Sequence, residues 1–355
     1  MRHSRIEQLW EGTKPLPDLV HMDLSCSKDL IKTPDLAEAT NLKKLILAGC
    51  KSLLEVHPSI SALKSLVELN LCECRELSLP SSISMKSLRR LKLSGCSKLE
   101  EFPEISEVME KLHWLDLDET AVKELPSSIN NLTGLRSLSM RNCTSLVSLP
   151  SSIHMKSLET LDLSGCWKLE EFPEISEVME RLDKLDLDET AVKELPSSIN
   201  NLTGLGGLSM RNCTSLVSLP DEICDLASLK HLYLTGCSKL SKLPDNFQNW
   251  KSLGSPDSLE GSGIKQLPLG ISRTKKFSCI GWKELTAPFS SWPTCMRNPS
   301  SSILVYLDLS DRNVLELSDA IAHLSSLRKL DLSGNNNLKS LPEAMNRLDH
   351  LKSSI

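Results

Sequence analysis

From Pro80 to Pro150 the chain carries a block of text that returns almost verbatim from Pro150 to Pro220. A fold closed around a single core has no place for a second copy of so long a block. A stack of similar units does, because an added block lengthens the stack and leaves each contact between neighbours unchanged. About ten of some 70 positions differ between the copies, and those differences report which positions the stack leaves free.

Each block contains three smaller units with a period of roughly 23–24 residues, within the range of leucine-rich repeats. A unit reads LxxLxL, a small residue three positions later, a leucine, and then Leu-Pro or Phe-Pro. Leu88, Leu91, Leu93, Cys96, Leu99, Phe102 and Pro103 form one example, and Leu135, Leu138, Met140, Cys143, Leu146, Leu149 and Pro150 another. A shorter version carries Thr in the small-residue slot: Leu112, Leu115, Leu117, Thr120, Val122, Leu125, Pro126. The same phase opens units at Leu19, Leu42, Leu66, Leu158, Leu182, Leu205 and Leu229, and again at Leu304 and Leu327. Between these, Leu253, Ile264, Leu267 and Pro268 mark a weak unit. Phe277, Ile280 and Trp282 occupy the expected place of the next LxxLxL, and Ser290 to Ser302 reads as an irregular, Ser/Pro-rich insertion. The expected organisation is repeats over residues 1–268, a degenerate repeat with an insertion over 269–302, and repeats again over 303–355.

The last two leucines of LxxLxL alternate across a short strand, so both point inward while the residues between them face solvent. One such strand cannot bury its leucines alone. Stacked in parallel, the strands pair their backbones, and each inward leucine contributes about 1.5–3 kcal/mol of burial. The pattern therefore predicts an α/β solenoid: a curved horseshoe with a concave parallel sheet and short helices or turns on its convex side. Ile105, Val108, Met109 and Leu112 fall at helical spacing, which predicts a short helix there.

Seven of the twelve cysteines, Cys50, Cys74, Cys96, Cys143, Cys166, Cys213 and Cys237, share the slot three residues after the last strand leucine. Thr120, Thr190 and Asn335 fill it elsewhere. These side chains are small and able to hydrogen-bond backbone groups where the chain turns inward, so a buried, reduced ladder is expected rather than disulfides or zinc. Cys26, Cys72, Cys224, Cys279 and Cys295 show no pairing pattern. Free thiols point to a reducing compartment, cytoplasmic or nucleo-cytoplasmic. The net charge of -5, with acids and bases interspersed, argues against a nucleic-acid or membrane surface. No phosphate loop, GxGxxG, HExxH or GxSxG motif occurs, and the eight histidines are scattered. The repeated DLDET at Asp116 to Thr120 and Asp186 to Thr190 reads as a solvated acidic edge without EF-hand spacing. No enzyme, cofactor or metal site is expected; the reading is a protein-binding module. The triplets at Asn131, Asn142, Asn201 and Asn212 are by-products of the copied text.

IEQLWEG (Ile6 to Gly12) followed by MDLSCSKDLIKTPDL (Met22 to Leu36), with recurrent LSGC, LPSSI and LDL, resembles the C-terminal leucine-rich repeats of plant intracellular immune receptors of the TIR-NB-LRR class. That resemblance implies recognition of a pathogen effector or host protein and restraint of the receptor's nucleotide-binding switch. It does not extend to NAD cleavage or nucleotide switching, whose motifs this chain does not carry. The repeat phase puts Met1 on a strand position, and Leu348 and Leu351 open a unit left incomplete, as expected of a fragment or truncated paralogue. A free-standing scaffold or decoy is the competing reading.

Seven of the copy differences fall in the solvent-facing slots of LxxLxL: Arg89/Glu159, Arg90/Thr160, Lys92/Asp162, His113/Asp183, Trp114/Lys184, Arg136/Gly206 and Ser137/Gly207. Exposed Lys98, Glu100, Glu101, Glu104 and Glu107 do not change, so exposure alone does not account for the turnover. The expected recognition face has a basic part (Arg89, Arg90, Lys92) beside His113 and Trp114, and an acidic part (Glu159, Asp162, Asp183, Asp186). His231 and Tyr233 extend it. Such a bipolar surface suits a protein partner.

Overall fold

The computed structural model describes residues 2–244, 246, 255–257, 276–278, 306–308, 317 and 319–351. Two compact units divide the chain, Met1–Asp186 and Leu187–Ile355. Among the described residues of the first unit, three-residue strands at His21–Asp23, Lys44–Ile46, Glu68–Asn70, Arg90–Lys92, Trp114–Asp116, Ser137–Ser139, Thr160–Asp162 and Lys184–Asp186 pair in parallel, in chain order. Each begins two residues after its unit's opening leucine, so the sequence phase holds throughout. In the second unit Gly207–Ser209, His231–Tyr233 and Ser255–Asp257 form one parallel series. Lys276–Ser278, Tyr306–Asp308 and Lys329–Asp331 form another. Phe277 stands opposite Leu307 at a strand centre, not at the opening position three residues earlier that the sequence reading gave it. Without a leucine to fix the phase, spacing alone could not decide. The expected insertion from Ser290 to Ser302 lies outside the described residues.

Central and following strand leucines, such as Leu91 with Leu93 and Leu161 with Leu163, are buried in every repeat of the first unit. Beneath them runs the ladder. Cys50, Cys74, Cys96, Cys143, Cys166, Cys213 and Cys237 are fully buried. Each Sγ donates to the carbonyl that ends the strand segment of the preceding repeat: Leu24, Leu47, Leu71, Leu117, Met140, Leu187 and Met210, at 3.0–3.2 Å. Thr120 and Thr190 instead donate within their own turn, to Leu117 and Leu187 at 2.8 Å, and meet the next cysteine sulfur. Ser27, also fully buried, fills the slot at the N-terminal end, where the sequence reading had not placed a ladder residue.

Between strand and ladder every repeat passes through the left-handed region, at Cys26, Gly49, Glu73, Gly95, Glu119, Asn142 and Gly165 in the first unit. This kink aims one more N–H at the next repeat: Glu73 to Ser94, Gly95 to Asp118, Asn142 to Ser164, at 2.7–2.8 Å. The sheet is thereby extended one bond beyond its strands. After Cys26, Glu73 and Asn142 the following repeat makes room with glycine, at Gly49, Gly95 and Gly165. A Cβ on Gly165 would lie 2.3 Å from the Asn142 Oδ1.

The back of the stack responds to length. Ser127-Ser128-Ile129 opens the 3-10 helix Ser127–Asn131, but the same three residues at 81–83 and 151–153 lead into two-residue strands, Ser82–Ile83 and Ser152–Ile153. These pair with Glu104–Ile105 and Glu174–Ile175. The next opening leucine arrives one residue sooner in those repeats, and extended backbone covers more distance per residue than a 3-10 turn. The helix expected over Ile105 to Leu112 does not form. Ile105 lies in a strand and Val108 is exposed. Asn131 takes both groups the helix would pair, its carbonyl accepting from the Met109 N–H at 2.9 Å and its Nδ2 donating to the Ile105 carbonyl at 2.8 Å.

Two measurements check these interactions. Gly165→Ala, placed at φ +76 against Asn142, should lose about 1–2 kcal/mol in urea unfolding, while Gly207→Ala, with open space around its Cβ, should stay within about 0.5 kcal/mol of the parent. Burial pushes three ladder thiols from an ordinary 9.0 up to about 11 at Cys50 and about 12 at Cys96 and Cys237, whereas the hydrogen bond with Cys166 holds Cys143 below its ordinary value. The unfolded chain therefore releases the protons of Cys50, Cys96 and Cys237 first. Stability should be level below about pH 8 and should fall between pH 9 and pH 12, with each such thiol contributing a slope of about 1.4 kcal/mol per pH unit.

Candidate functional site

The solvent face of the first unit's sheet is a grid set by strand register. One row, at the second position after each opening leucine, runs His21, Lys44, Glu68, Arg90, Trp114, Ser137, Thr160, Lys184. A second row, two residues on, runs Asp23, Ile46, Asn70, Lys92, Asp116, Ser139, Asp162, Asp186. The expected residues Arg90, Trp114, Lys184, Lys92, Asp162 and Asp186 thus lie on adjacent strands of one face. Arg89, His113, Arg136, Glu159 and Asp183 precede them along its margin. His231 and Tyr233 sit on the second unit's sheet and are described with it.

The basic and acidic parts are less separate than the sequence suggested. Lys92 lies 3.7 Å from the Glu68 carboxylate, which also faces Lys44 at 3.6 Å. Arg136 reaches Glu159 at 3.4 Å, joining one copy's margin to the next. His113 is half-buried, with its Nδ1 3.0 Å from the Gly134 carbonyl. Arg89 and Arg90 remain exposed. Asp162 has a structural duty: its Oδ1 accepts from the Ser164 N–H at 3.0 Å and from the Ser164 hydroxyl at 2.7 Å, closing the turn out of the strand. Asp23 and Asp331 make the same pair of bonds to Ser25 and Ser333. An isolated sequence position gives no sign of this, but the recurrence of Asp-x-Ser at the strand end could have.

The DLDET motif is more than a solvated edge. Asp118 accepts from the Ser139 hydroxyl at 2.5 Å and from the Arg141 N–H at 2.8 Å, tying its repeat to the next. Burial pushes the Asp116 carboxyl above its ordinary value, and the nearby Asp118 carboxylate adds to the shift. No cluster of three or more His, Cys, Asp or Glu among the described residues is arranged to hold a metal ion. Small side chains at Ser137 and Thr160, set between Trp114 and Lys184, leave a depression of 360 Å³ in the face. Asp116, Ser139, Arg141 and Asp162 border it along the second row and the turn beyond. Trp114 is 47% exposed. The sequence reading takes Asp118 only as part of a solvated acidic edge and does not single out Arg141. Trp167, which replaces Ser97 in the second copy, had also been passed over; it lies outside the strand slots, is 64% exposed and donates from Nε1 to the Thr144 carbonyl at 2.8 Å.

The second unit repeats the Asp118 arrangement and completes it differently. Asp188 accepts from the Ser209 hydroxyl and the Arg211 N–H, both at 2.6 Å. Tyr233 stands in the position that Asp162 holds in the first copy, and the Arg211 guanidinium lies over its ring at 3.9 Å. His231 stacks on Tyr233 with ring centroids 6.3 Å apart. Gly206 and Gly207 leave the strand beside them bare.

Known proteins similar to this chain share both its text and its fold. The family described as "Disease resistance protein RPS4B-like, leucine-rich repeats" matches residues 84–157 and 154–256, and the family "Leucine Rich Repeat" matches residues 326–348. Protein SUPPRESSOR OF npr1-1, CONSTITUTIVE 1 of Arabidopsis thaliana is 40% identical over 99% of this chain and 24% of its own length. Disease resistance protein RPS6 of the same plant is 35% identical over 61% of this chain and 23% of its own. TMV resistance protein N of Nicotiana glutinosa is 32% identical over 58% and 18%. The chain therefore spans less than a quarter of each of these relatives. Among solved structures, a leucine-rich-repeat protein of Leptospira interrogans aligns with a TM-score of 0.52 at 23% identity, covering 95% of this chain and 89% of that one. A TLR13–ssRNA13 complex aligns at 0.55 and 22%, covering 94% and 46%. Both likenesses concern the solenoid fold. No helix among the described residues is long and apolar enough to cross a membrane.

The two duties on the strand face separate by mutation. Asp162→Ala should lower stability by about 1–2 kcal/mol in urea unfolding, because the Ser164 N–H loses its acceptor. Arg89→Ala and Arg90→Ala should each stay within about 0.5 kcal/mol of the parent.

Proposed function

Because the chain belongs to the leucine-rich-repeat family of plant disease resistance proteins, we propose that it is the recognition segment of an intracellular immune receptor and that it contacts protein partners through the strand face. The partner is a pathogen effector, a guarded host protein or the receptor's own nucleotide-binding domain. One observation carries this reading. Between the copied blocks the inward leucines and ladder residues hold, while seven of the ten differing positions fall on the strand face. Residues of the core and ladder are fixed, and residues that could meet a partner turn over, even where one of them, Asp162, also closes a turn. The fully buried ladder thiols and the absence of disulfides among the described cysteines support a reducing, cytoplasmic setting.

A photo-crosslinking amino acid placed at Arg90 or Lys184 on the strand face, and at Val108 or Val178 on the back, tests the reading in plant cells expressing the chain. Protein adducts are expected from the strand-face positions. Exchange of Arg89, Arg90 and Lys92 for the second copy's Glu, Thr and Asp should change which adducts form. Adducts from the back positions alone, or an adduct pattern unmoved by the exchange in a folded variant, would contradict it.

A further inference from the structure

The second unit shows what this repeat does with an arginine. Asp188 and the Tyr233 ring hold the Arg211 guanidinium between them, with Nη1 3.5 Å from the carboxylate and the ring 3.9 Å below. The first unit carries the same carboxylate and arginine, Asp118 and Arg141, but has Asp162 where the second unit has Tyr233. Its arginine, Arg141, turns to Asp162 at 3.7 Å. Asp116 and Asp118 are left without an ion pair among the described residues, although Asp116 is half-buried and its carboxyl is pushed up by that burial. Lys92, opposite Asp116 on the preceding strand, lies 3.7 Å from the Glu68 carboxylate, and its charge offsets part of the Asp116 shift. An exposed indole, Trp114, stands at the rim of the depression, on the strand that carries Asp116.

We propose that this depression receives an arginine side chain from an extended segment of a protein partner, its guanidinium stacked on Trp114 and donating to Asp116 and Asp118. Arginine fits better than lysine because its planar group stacks on an aromatic face while its fork of donors reaches carboxylates. Ser137 and Thr160 supply the room, and their hydroxyls line the path of the aliphatic stem. The two residues in which the copies differ at the rim and floor, Trp114/Lys184 and Ser137/Gly207, are among those that define the depression. The second copy lacks both the indole and the serine. Lys184 on the far rim repels a cation and limits affinity.

The proposal rests on the strand face being the recognition surface, and its test is separable from that reading. The probes are fluorescein-labelled capped peptides, Gly-Ser-Gly-X-Gly-Ser, with X as arginine, lysine or citrulline, titrated into the full chain by fluorescence anisotropy at low salt. The arginine peptide should bind at least about tenfold more tightly than the citrulline peptide, which keeps the shape and loses the charge. Trp114→Ala and the isosteric Asp118→Asn should each weaken the arginine peptide by about fivefold or more, and Lys184→Glu should tighten it. Equal binding of the arginine and citrulline peptides, no binding of the arginine peptide, or an unchanged affinity in folded Trp114→Ala would overturn the proposal. Strand-face adducts that persist alongside such a result would leave the broader reading standing; loss of those adducts would remove both.

Discussion

A thiol reaching back to the carbonyl of the repeat before it is the contact on which this architecture depends. The strand pairs the backbone for three residues and then turns inward, and the carbonyl at its end accepts the N–H of its own turn, as Leu47 does from Cys50 at 3.1 Å and Leu71 from Cys74 at 3.2 Å. A carbonyl has two lone pairs, so one acceptor position is still open in an apolar interior. The cysteine slot fills it from the next repeat with a side chain small enough to sit among leucines. Thr120 and Thr190 solve the problem differently, closing on their own turn, and this is why the shorter repeats can use them. The left-handed kink before the slot adds a forward bond to the next repeat. Each cysteine-bearing unit is thus tied backward by a side chain and forward by its backbone, and none is stable without neighbours.

That division of labour leaves the strand face with little structural duty. Arg89, Arg90 and Trp114 meet solvent and could change freely when the block was copied. Asp162 and Asp118 lie on the same face and are not free in that sense, because one closes a turn and the other joins two repeats. Recognition on such a surface is built by placing variable side chains between fixed ones. The depression beside Trp114 is an example: its carboxylates are held by the fold, while its rim and floor are set by residues that differ between copies.

Much of this was legible in the sequence. Leucine phase located the strands to the residue where a leucine opens the unit, though not at Phe277, and the recurrence of cysteine in one slot announced a ladder. The back of the stack was less legible. Ser-Ser-Ile forms a 3-10 turn in one repeat and a strand in another, because the deciding factor is how soon the next leucine arrives. The helical spacing of Ile105, Val108, Met109 and Leu112 misled for a related reason: Asn131, one repeat away, takes the backbone groups a helix needs. The left-handed position carries Cys, Gly, Glu or Asn with no shared chemistry, so no pattern marks it. Arg141 and Asp118 were invisible to a comparison of copies, since that comparison sees only what changed. Their importance comes from register, which sets them beside Trp114.

The central claim is that one set of residues folds the repeat and another meets the partner. The most direct measurement is a scan of all substitutions over residues 81–150 of the full chain, scored for folded protein by protease resistance. The account predicts intolerance at Cys96, Thr120, Cys143, Gly95 and the inward leucines, with tolerance at Arg89, Arg90, Trp114, Arg136 and Ser137. Strand-face positions as intolerant as the ladder would contradict it.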